Sequence, residues 1–291
     1  VNYYLPAGAA GSDGVSLDIT PESAGWNYSG LRIVTLAPGQ SHVRAASADE
    51  LVVVPLAGGC IVRAGDDIAE LAGRTSVFSG VTDIAYIPAG RELSITSEAG
   101  GRIALAAARV DPVATTHPFR YLAADEVPVE IRGAGSCSRQ VNNFAVPDVL
   151  GADRIIACEV LTPGGNWSSY PPHKHDEDRP GESALEEIYY FEVAADGPAY
   201  QRVYGTDERP IDVLAEVSTG DAVLIPHGWH GPSMAVPGYD LYYLNVMAGP
   251  GQRQWLICDD PAHAWVRQTW AEQSVDPRLP MTAAPARGVL R

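Results

Sequence analysis

The chain is nearly without lysine. Of its 20 cationic residues only Lys174 is a lysine, and the rest are arginine. Schiff-base chemistry therefore has one candidate residue and is a poor fit. Positive charge is scarce overall. Twenty cationic residues stand against 36 acidic ones, for a net charge of −16 and a pI near 4.7. Binding a phosphate backbone needs a basic surface, so nucleic acid is not an expected partner. No run approaches the ~20 apolar residues of a membrane helix. Residues 1–10 lack the basic start and apolar run of a signal peptide. The expected location is thus the cytoplasm, with no membrane partner. The four cysteines, Cys60, Cys137, Cys158 and Cys258, include no Cys-x-x-Cys pair, which argues against a zinc knuckle. In a reducing compartment they are expected as buried, reduced thiols.

What the sequence does contain is core material. Hydrophobic residues make up 46% and charged residues 19%, the balance of a packed protein and not of a disordered one. At about 150 residues per domain, 291 residues suggest about two domains. The 29 Gly and 23 Pro are spread throughout and bound short runs of Val, Ile, Leu and Tyr. These runs are Leu31–Leu36, Leu51–Leu56, Ile84–Ile87, Ile103–Ala107, Glu187–Val193, Ala222–Ile225 and Leu241–Met247. Their lengths are those of strands in a sandwich or barrel. Helical patterning is confined to Pro261–Glu272, with a turn expected over Ala46–Glu50.

The two halves repeat one another. Pro38-Gly39 matches Pro163-Gly164, Glu50 and the apolar residues after it match Glu187 and its successors, and Ile87–Gly90 matches Ile225–Gly228. Matches that keep their order point to a duplicated β domain. The boundary is drawn between residues 125 and 126, inside a link over Val110–Arg139 that contains the irregular stretch Asp111–Pro118.

The chemistry-bearing residues cluster in the second half. His173 and His175 are two apart, so in a strand they face the same side. Glu187 opens a strand whose alternate positions Tyr189, Phe191 and Val193 are apolar, and a carboxylate on that face needs a partner. A metal ion would supply one. Glu186 is the rival, but its face carries Ile188, Tyr190 and Glu192 and reads as outward. His230 follows a Pro-x-Gly turn and supplies a third imidazole; His227, in the turn itself, is the weaker choice. Three imidazoles and a carboxylate suit Zn, Mn, Fe, Ni or Cu with positions left for substrate.

This His-x-His, the strand-opening Glu and the turn from Gly220 through Gly228 to His230 resemble the two cupin motifs. A narrower resemblance covers most of the chain. The segments Arg132–Asn143, Tyr170–Asp176, Leu185–Tyr190, Gln201–Tyr204 and Tyr239–Gly249 are similar to the 5-deoxy-glucuronate isomerases of myo-inositol catabolism. That family is bicupin and related to zinc-dependent uronate ketol-isomerases. The resemblance implies an all-β chain of two tandem cupin domains, spanning 1–125 and 126–291. It further implies a divalent metal, zinc first, with Mn, Fe or Ni as alternatives. The expected activity is aldose–ketose isomerisation of 5-deoxy-glucuronate to 5-dehydro-2-deoxy-gluconate. The first half has no His-x-His before Glu50, and Glu92 stands where His230 stands, so it is expected to hold no metal and to serve a structural or dimer-forming role.

Such a reaction needs a Lewis acid, a base and a cation for the substrate carboxylate. His173, His175, Glu187 and His230 are the expected ligands. The base is left among a metal-bound water, Glu186 and Glu182. Arg202, on a strand between Tyr200 and Tyr204, is the first candidate for the carboxylate, followed by Arg139 and Arg179. Tyr243 and Asn245 share a strand face and are candidates for sugar hydroxyls, although a buried Asn245 would demand partners. Alternation turns Lys174 away from the metal. The partner is a small sugar acid, with a homo-oligomer left open. An iron-dependent cupin oxygenase and a non-catalytic sugar-binding bicupin are the competing readings.

Overall fold

The structure is a computed structural model that describes residues 2–12, 14–110 and 117–282. The expected link Asp111–Pro118 thus lies, except for its last two residues, outside the described residues. The first half contributes β1 (Tyr4–Leu5), β2 (Val15–Ile19), β3 (Ser29–Leu36), β4 (Gln40–Arg44) and β5 (Asp49–Ala64). It continues with β6 (Asp67–Arg74), β7 (Ile84–Ile87), β8 (Leu93–Ser97), β9 (Gly101–Arg109) and β10 (Arg120–Leu122). The second half begins with β11 (Val129–Arg132), β12 (Arg139–Ala145), β13 (Ile156–Thr162), β14 (Trp167–Ser168), β15 (His173–Lys174), β16 (Asp176–Arg179) and β17 (Glu182–Ala184). It ends with β18 (Glu186–Val193), β19 (Ala199–Tyr204), β20 (Asp212–Val217), β21 (Ala222–Ile225), β22 (Trp229–Ala235), β23 (Leu241–Ala248) and β24 (Cys258–Asp259). All ladders are antiparallel. The expected helix over Pro261–Glu272 shortens to a helix at Trp265–Thr269 and a 3-10 turn at Trp270–Glu272. The turn expected over Ala46–Glu50 ends early, because Asp49 and Glu50 already belong to β5.

In the second half, one sheet runs β1-β21-β18-β23-β13-β12-β11 and another runs β20-β19-β22-β15-β24, with β14 beside β22. In the first half, β10-β7-β5-β9-β3-β2 form one path, and the long β5 continues into pairing with β6 and β8. These are two tandem cupin domains. One detail departs from the division at 125/126: β1 pairs with β21 and so completes the second sheet from the chain's start. Tyr4 and Ala7 tie this strand down by donating to the Asp221 carboxylate.

Each barrel has its own apolar filling. Val34, Leu51, Val53, Val62 and Leu93 are among the residues filling the first. Val141, Cys158, Tyr189, Phe191 and Tyr243 are among those lining the second. A third core lies between the halves, where Leu31, Ile33, Val52 and Tyr86 meet Phe144, Ile188, Tyr190, Tyr242 and Leu244. The face of Ile188, Tyr190 and Glu192 is therefore not solvent-facing as expected. It points out of its barrel but into the other half. This is why these strands are apolar on both sides, as strands covered on both faces must be. A buried ion pair, Arg74 Nη2 to Glu159 Oε2 at 2.6 Å, crosses the same interface.

The interface also corrects the alignment of the halves. Leu51 pairs with Ile87 and Ala107, as Glu187 pairs with Ile225 and Met247. Glu50 is therefore the counterpart of Glu186, one residue off the sequence match, and Leu51 stands where Glu187 stands. The two counterparts act reciprocally. Glu50 accepts from the backbone N–H groups of Asp153, Arg154 and Ile155. Glu186 accepts from those of Asn27, Tyr28 and Ser29. Each half thus clasps the entry to a strand of the other, Glu50 that of β13 and Glu186 that of β3. Among the described residues, no helix is long and apolar enough to cross a membrane.

Candidate metal centre

Three short-range rules bring the imidazoles together. β15 places His173 opposite His230 of β22 in the antiparallel register. His175 follows β15, and its carbonyl accepts from Leu185 N–H, which turns the chain back toward β18. Gly228, with φ near +91°, makes the turn before β22, and its carbonyl lies 3.3 Å from His230 Nδ1. A hydrogen bond there orients the ring and leaves Nε2 as the inward atom.

The result is a buried cluster. Ligand atoms of His173, His175 and His230 all lie within 4.8 Å of one another. Ring centroids are 4.4 Å apart for His173–His230 and 4.7 Å for His175–His230. Glu187 Oε2 lies 3.1 Å from both His175 Nε2 and His230 Nε2. The first contact has hydrogen-bond geometry; the second has the distance without the alignment. His173 Nδ1, His175 Nδ1 and His230 Nε2 are buried and have no hydrogen-bond partner. Buried nitrogens without partners are costly, and a divalent cation in the cluster would take up one nitrogen from each ring. The donor set of imidazole nitrogen and carboxylate oxygen fits such an ion.

The electrostatics agree with that composition. Burial, together with the neighbouring His230 and His175, pushes the His173 pKa well below its ordinary value, so its ring is a neutral donor. Burial opposes protonation of His175 as well, but the Glu187 carboxylate outweighs it and raises the pKa. Burial alone would raise Glu187, yet His230 and His175 hold it down at about 2. The carboxylate is an anion waiting among nitrogens. Its second oxygen is also taken: Asn245 Nδ2 donates to Oε1 at 2.5 Å.

The other expected residues separate clearly. Asn245 faces inward, where its amide nitrogen is used on Glu187. Tyr243 also faces inward, stacked on Tyr189 with centroids 4.9 Å apart. Burial pushes its hydroxyl up to about 12, which makes it a neutral wall of the cavity. Glu186 lies on the opposite face of β18 from Glu187, occupied by three backbone N–H groups of the first half, and it is not placed to act as a base. Glu182 is likewise committed. It accepts from Lys174 Nζ at 2.7 Å, from Arg179 Nε at 2.7 Å and from Asp176 N–H. Lys174 points away from the imidazoles, into Asp176, Glu177 and Glu182. His227 is not among the clustered imidazoles.

Arg202 also turns out to face the wrong way. Gln201 and Val203 are the buried residues of β19, so alternation puts Arg202 on the outer face. There it pairs with the Asp212 carboxylate and donates to the Val203 and Val213 carbonyls. Its aromatic flanks, Tyr200 and Tyr204, share that outer face. Arg139 is the inward arginine. It opens β12 on the face of Val141, and its guanidinium carbon lies 5.6 Å from the Trp270 ring centroid. Sequence reasoning missed Trp270 and Arg267, which reach the site from the segment after β24. Cys60 and Cys158 are buried, as expected, but Cys137 and Cys258 are only partly so, and all four are free thiols.

Comparison with known proteins decides the family. The KduI/IolB family description matches residues 4–266. The chain belongs to the KduI/IolB family. It is 42% identical over 269 residues to a 5-deoxy-glucuronate isomerase of Geobacillus kaustophilus (strain HTA426), covering 91% of this chain and 95% of the relative. It is 38% identical over 261 residues to the 5-deoxy-glucuronate isomerase of Bacillus subtilis (strain 168), covering 88% and 94%. Among solved structures it is similar to an IolB-like protein from Salmonella typhimurium LT2. The TM-score is 0.84 at 35% identity, over 91% of this chain and 99% of that one. An oxalate decarboxylase from Lactobacillus farciminis shares the bicupin fold at 14% identity, with a TM-score of 0.63 over 89% and 88% of the two chains.

Proposed function

We propose that this KduI/IolB family member is an aldose–ketose isomerase that converts 5-deoxy-glucuronate to 5-dehydro-2-deoxy-gluconate. A divalent metal, zinc first, is held by His173, His175, Glu187 and His230. The observation that carries this reading is the buried cluster of three imidazoles inside the second barrel, two of which meet one Glu187 carboxylate oxygen at 3.1 Å. Family membership with named 5-deoxy-glucuronate isomerases supplies the substrate.

The metal, when bound, acts as a Lewis acid that polarises the substrate carbonyl and eases proton loss from the neighbouring carbon. The chain's residues do the rest. Asn245 fixes the Glu187 carboxylate so that Oε2 alone faces the imidazoles, which leaves room for substrate oxygens. The Gly228 carbonyl orients His230. Tyr189 and Tyr243 form an apolar, stacked wall that keeps bulk water from the reacting carbons. With Glu186 and Glu182 committed elsewhere, the proton moves through a water in the cavity and not through either carboxylate.

The first half supports no second centre in this reading, because Leu51 occupies the position of Glu187. The iron-oxygenase and pure-binder readings have no observation in their favour beyond the ligand set itself. A spectrophotometric isomerase assay on 5-deoxy-glucuronate, run beside metal analysis and an oxygen electrode, tests the proposal. Isomerisation dependent on the metal, without oxygen uptake, is the expected result. Oxygen uptake without isomerisation would overturn it.

A further inference from the structure

A protein of net charge −16 that works on a sugar acid needs a local cation. Most of the arginines around the second barrel are already spent. Arg132 forms a two-pronged pair with Glu130, and Arg267 does the same with Asp259. Arg253 is saturated by the carbonyls of Ile155, Leu150 and Ala145. Arg139 differs. It is 5% exposed, and among the described residues its one hydrogen bond runs from Nη1 to the Cys137 carbonyl at 3.1 Å. No carboxylate among the described residues pairs with it. A full charge is thus held in the interior with no counter-ion and one carbonyl acceptor, an arrangement that stability alone disfavours. Burial, with Arg132 and Arg267 nearby, lowers its pKa to about 10, so it remains a cation at neutral pH.

The surroundings are built for it. Gly133 has φ near +80°, and a Cβ there would fall 2.7 Å from Arg139 Nη1. The same Cβ would fall 2.2 Å from the Cys137 carbonyl oxygen, so a glycine is what lets the turn close over both groups of the Arg139–Cys137 hydrogen bond. Trp270 lies between Arg139 and Arg267, at 5.6 and 5.1 Å from the two guanidinium carbons. The segment carrying Trp270 is tied to the turn beneath Arg139 by the Gly135 N–H, which donates to the Ser274 carbonyl at 2.8 Å. The same segment reaches the imidazoles: Asp259, which holds Arg267, pairs with His173 across β24 and β15. His173 is the least covered of the imidazoles, 8% exposed against 2% for His175 and 1% for His230. The most exposed imidazole is thus the one paired with β24, on the side from which Arg267 and Trp270 lead to Arg139.

We propose that Arg139, backed by Trp270, is the seat of the substrate carboxylate beside the His173 side of the imidazole cluster. This rests on the isomerase reading and adds to it which cation receives the acid group and which way the sugar lies: carboxylate toward Arg139, carbonyl toward the imidazoles.

The test uses zinc-loaded full-length protein, with D-glucuronate as the binding probe and glucose as its uncharged control. Arg139→Gln should weaken glucuronate binding in calorimetry about 10- to 100-fold, the loss of one charge-assisted contact. It should raise KM for 5-deoxy-glucuronate similarly. Zinc content and glucose binding should not change. The melting temperature should hold or rise, since an unpaired buried charge is removed; a structural role would lower it. Arg139→Lys should recover part of the affinity, because an ammonium cannot form the two-pronged pair. Arg139→Met, apolar and of similar length, carries the same test if the Gln variant does not fold. Glucuronate affinity within twofold of wild type in Arg139→Gln, or a loss of affinity that follows loss of zinc, would overturn the seat. Wild-type protein that binds zinc and glucuronate but does not isomerise 5-deoxy-glucuronate would instead overturn the isomerase reading, and the binding comparison would still decide the seat.

Discussion

Two adjacent glutamates should fail in different ways when each loses its charge. Glu187 faces the imidazoles, and Glu186 faces the other half of the molecule. In Glu187→Gln the amide must choose an orientation. Asn245 Nδ2 donates at Oε1, so the new side chain will present its own oxygen there and its NH2 group toward His175 and His230. A donor without a lone pair then stands where the anionic oxygen stood. Loss of a residue that merely orients a ligand typically costs 10- to 100-fold in metal affinity. Loss of the ligand itself should cost at least about 100-fold, with little change in the fold. In Glu186→Gln the metal should stay at wild-type affinity, and the interface should suffer. Glu186 Oε2 accepts two N–H groups and Oε1 one, all at 2.8–2.9 Å. Removing the charge from this clasp costs about 1.5–3 kcal/mol. At roughly 2–4 °C per kcal/mol for a chain of 150–250 residues, melting should fall by roughly 3–12 °C. Glu50→Gln is the control by symmetry: it should lower melting by as much or more, since Glu50 is fully buried and also takes the Tyr86 hydroxyl. Competition titration with a zinc chelator and differential scanning calorimetry read the two quantities separately. Metal loss in Glu186→Gln with metal retained in Glu187→Gln would refute the strand register on which the whole site is built.

Three further outcomes follow from the same geometry. Asn245→Leu should weaken zinc binding by about 10- to 100-fold, since Glu187 loses the bond that holds it, and a cobalt-substituted protein should show an altered visible spectrum; an unchanged spectrum and affinity would return Asn245 to a role in substrate binding. Arg202→Ala should leave KM for 5-deoxy-glucuronate within about twofold of wild type, because its charge is used on the outer face by Asp212; a tenfold rise would show that the outer face takes part in substrate binding. Elemental analysis should find about one tightly bound divalent ion per chain, and two would contradict the assignment of Leu51 to the position of Glu187.

Much of this was legible from residue order alone. The strands were, because Gly and Pro punctuate apolar runs of the right length: Ile84–Ile87 and Ala222–Ile225 stand in the structure with the bounds read from the sequence. The imidazole cluster was legible too, since His173 and His175 obey the two-residue period and His230 follows a recognisable turn. Where the reading failed, one face was mistaken for another. Tyr200 and Tyr204 beside Arg202 look like a sugar platform, but the inner face of β19 belongs to Gln201 and Val203. The Glu50 match slipped by one because β5 and β18 are apolar on both sides, and a strand buried on both faces carries no alternation to fix its register. Trp270 was beyond reach for a different reason: it meets Arg139 across more than a hundred residues, and no local pattern announces such a contact.

The corrected register shows what duplication preserved and what it let go. Both halves keep the glutamate at the start of the central strand that grips the neighbour's backbone, and each clasp satisfies three N–H groups of the other half. The next residue faces the opposite way, into the barrel, and there the halves part. Glu187 requires three imidazoles and an ion to make its burial tolerable, whereas Leu51 requires only apolar neighbours, which Val53, Val62 and Leu93 provide. A barrel filled in that way holds its shape without a ligand. The first half can therefore act as a rigid wall against which β18 and β23 are packed, and those two strands carry Glu187, Asn245 and Tyr243. The metal-ligating half is held on one face by its apolar twin, and this leaves its interior free to carry the unsatisfied nitrogens and the unpaired guanidinium that a self-sufficient core could not tolerate.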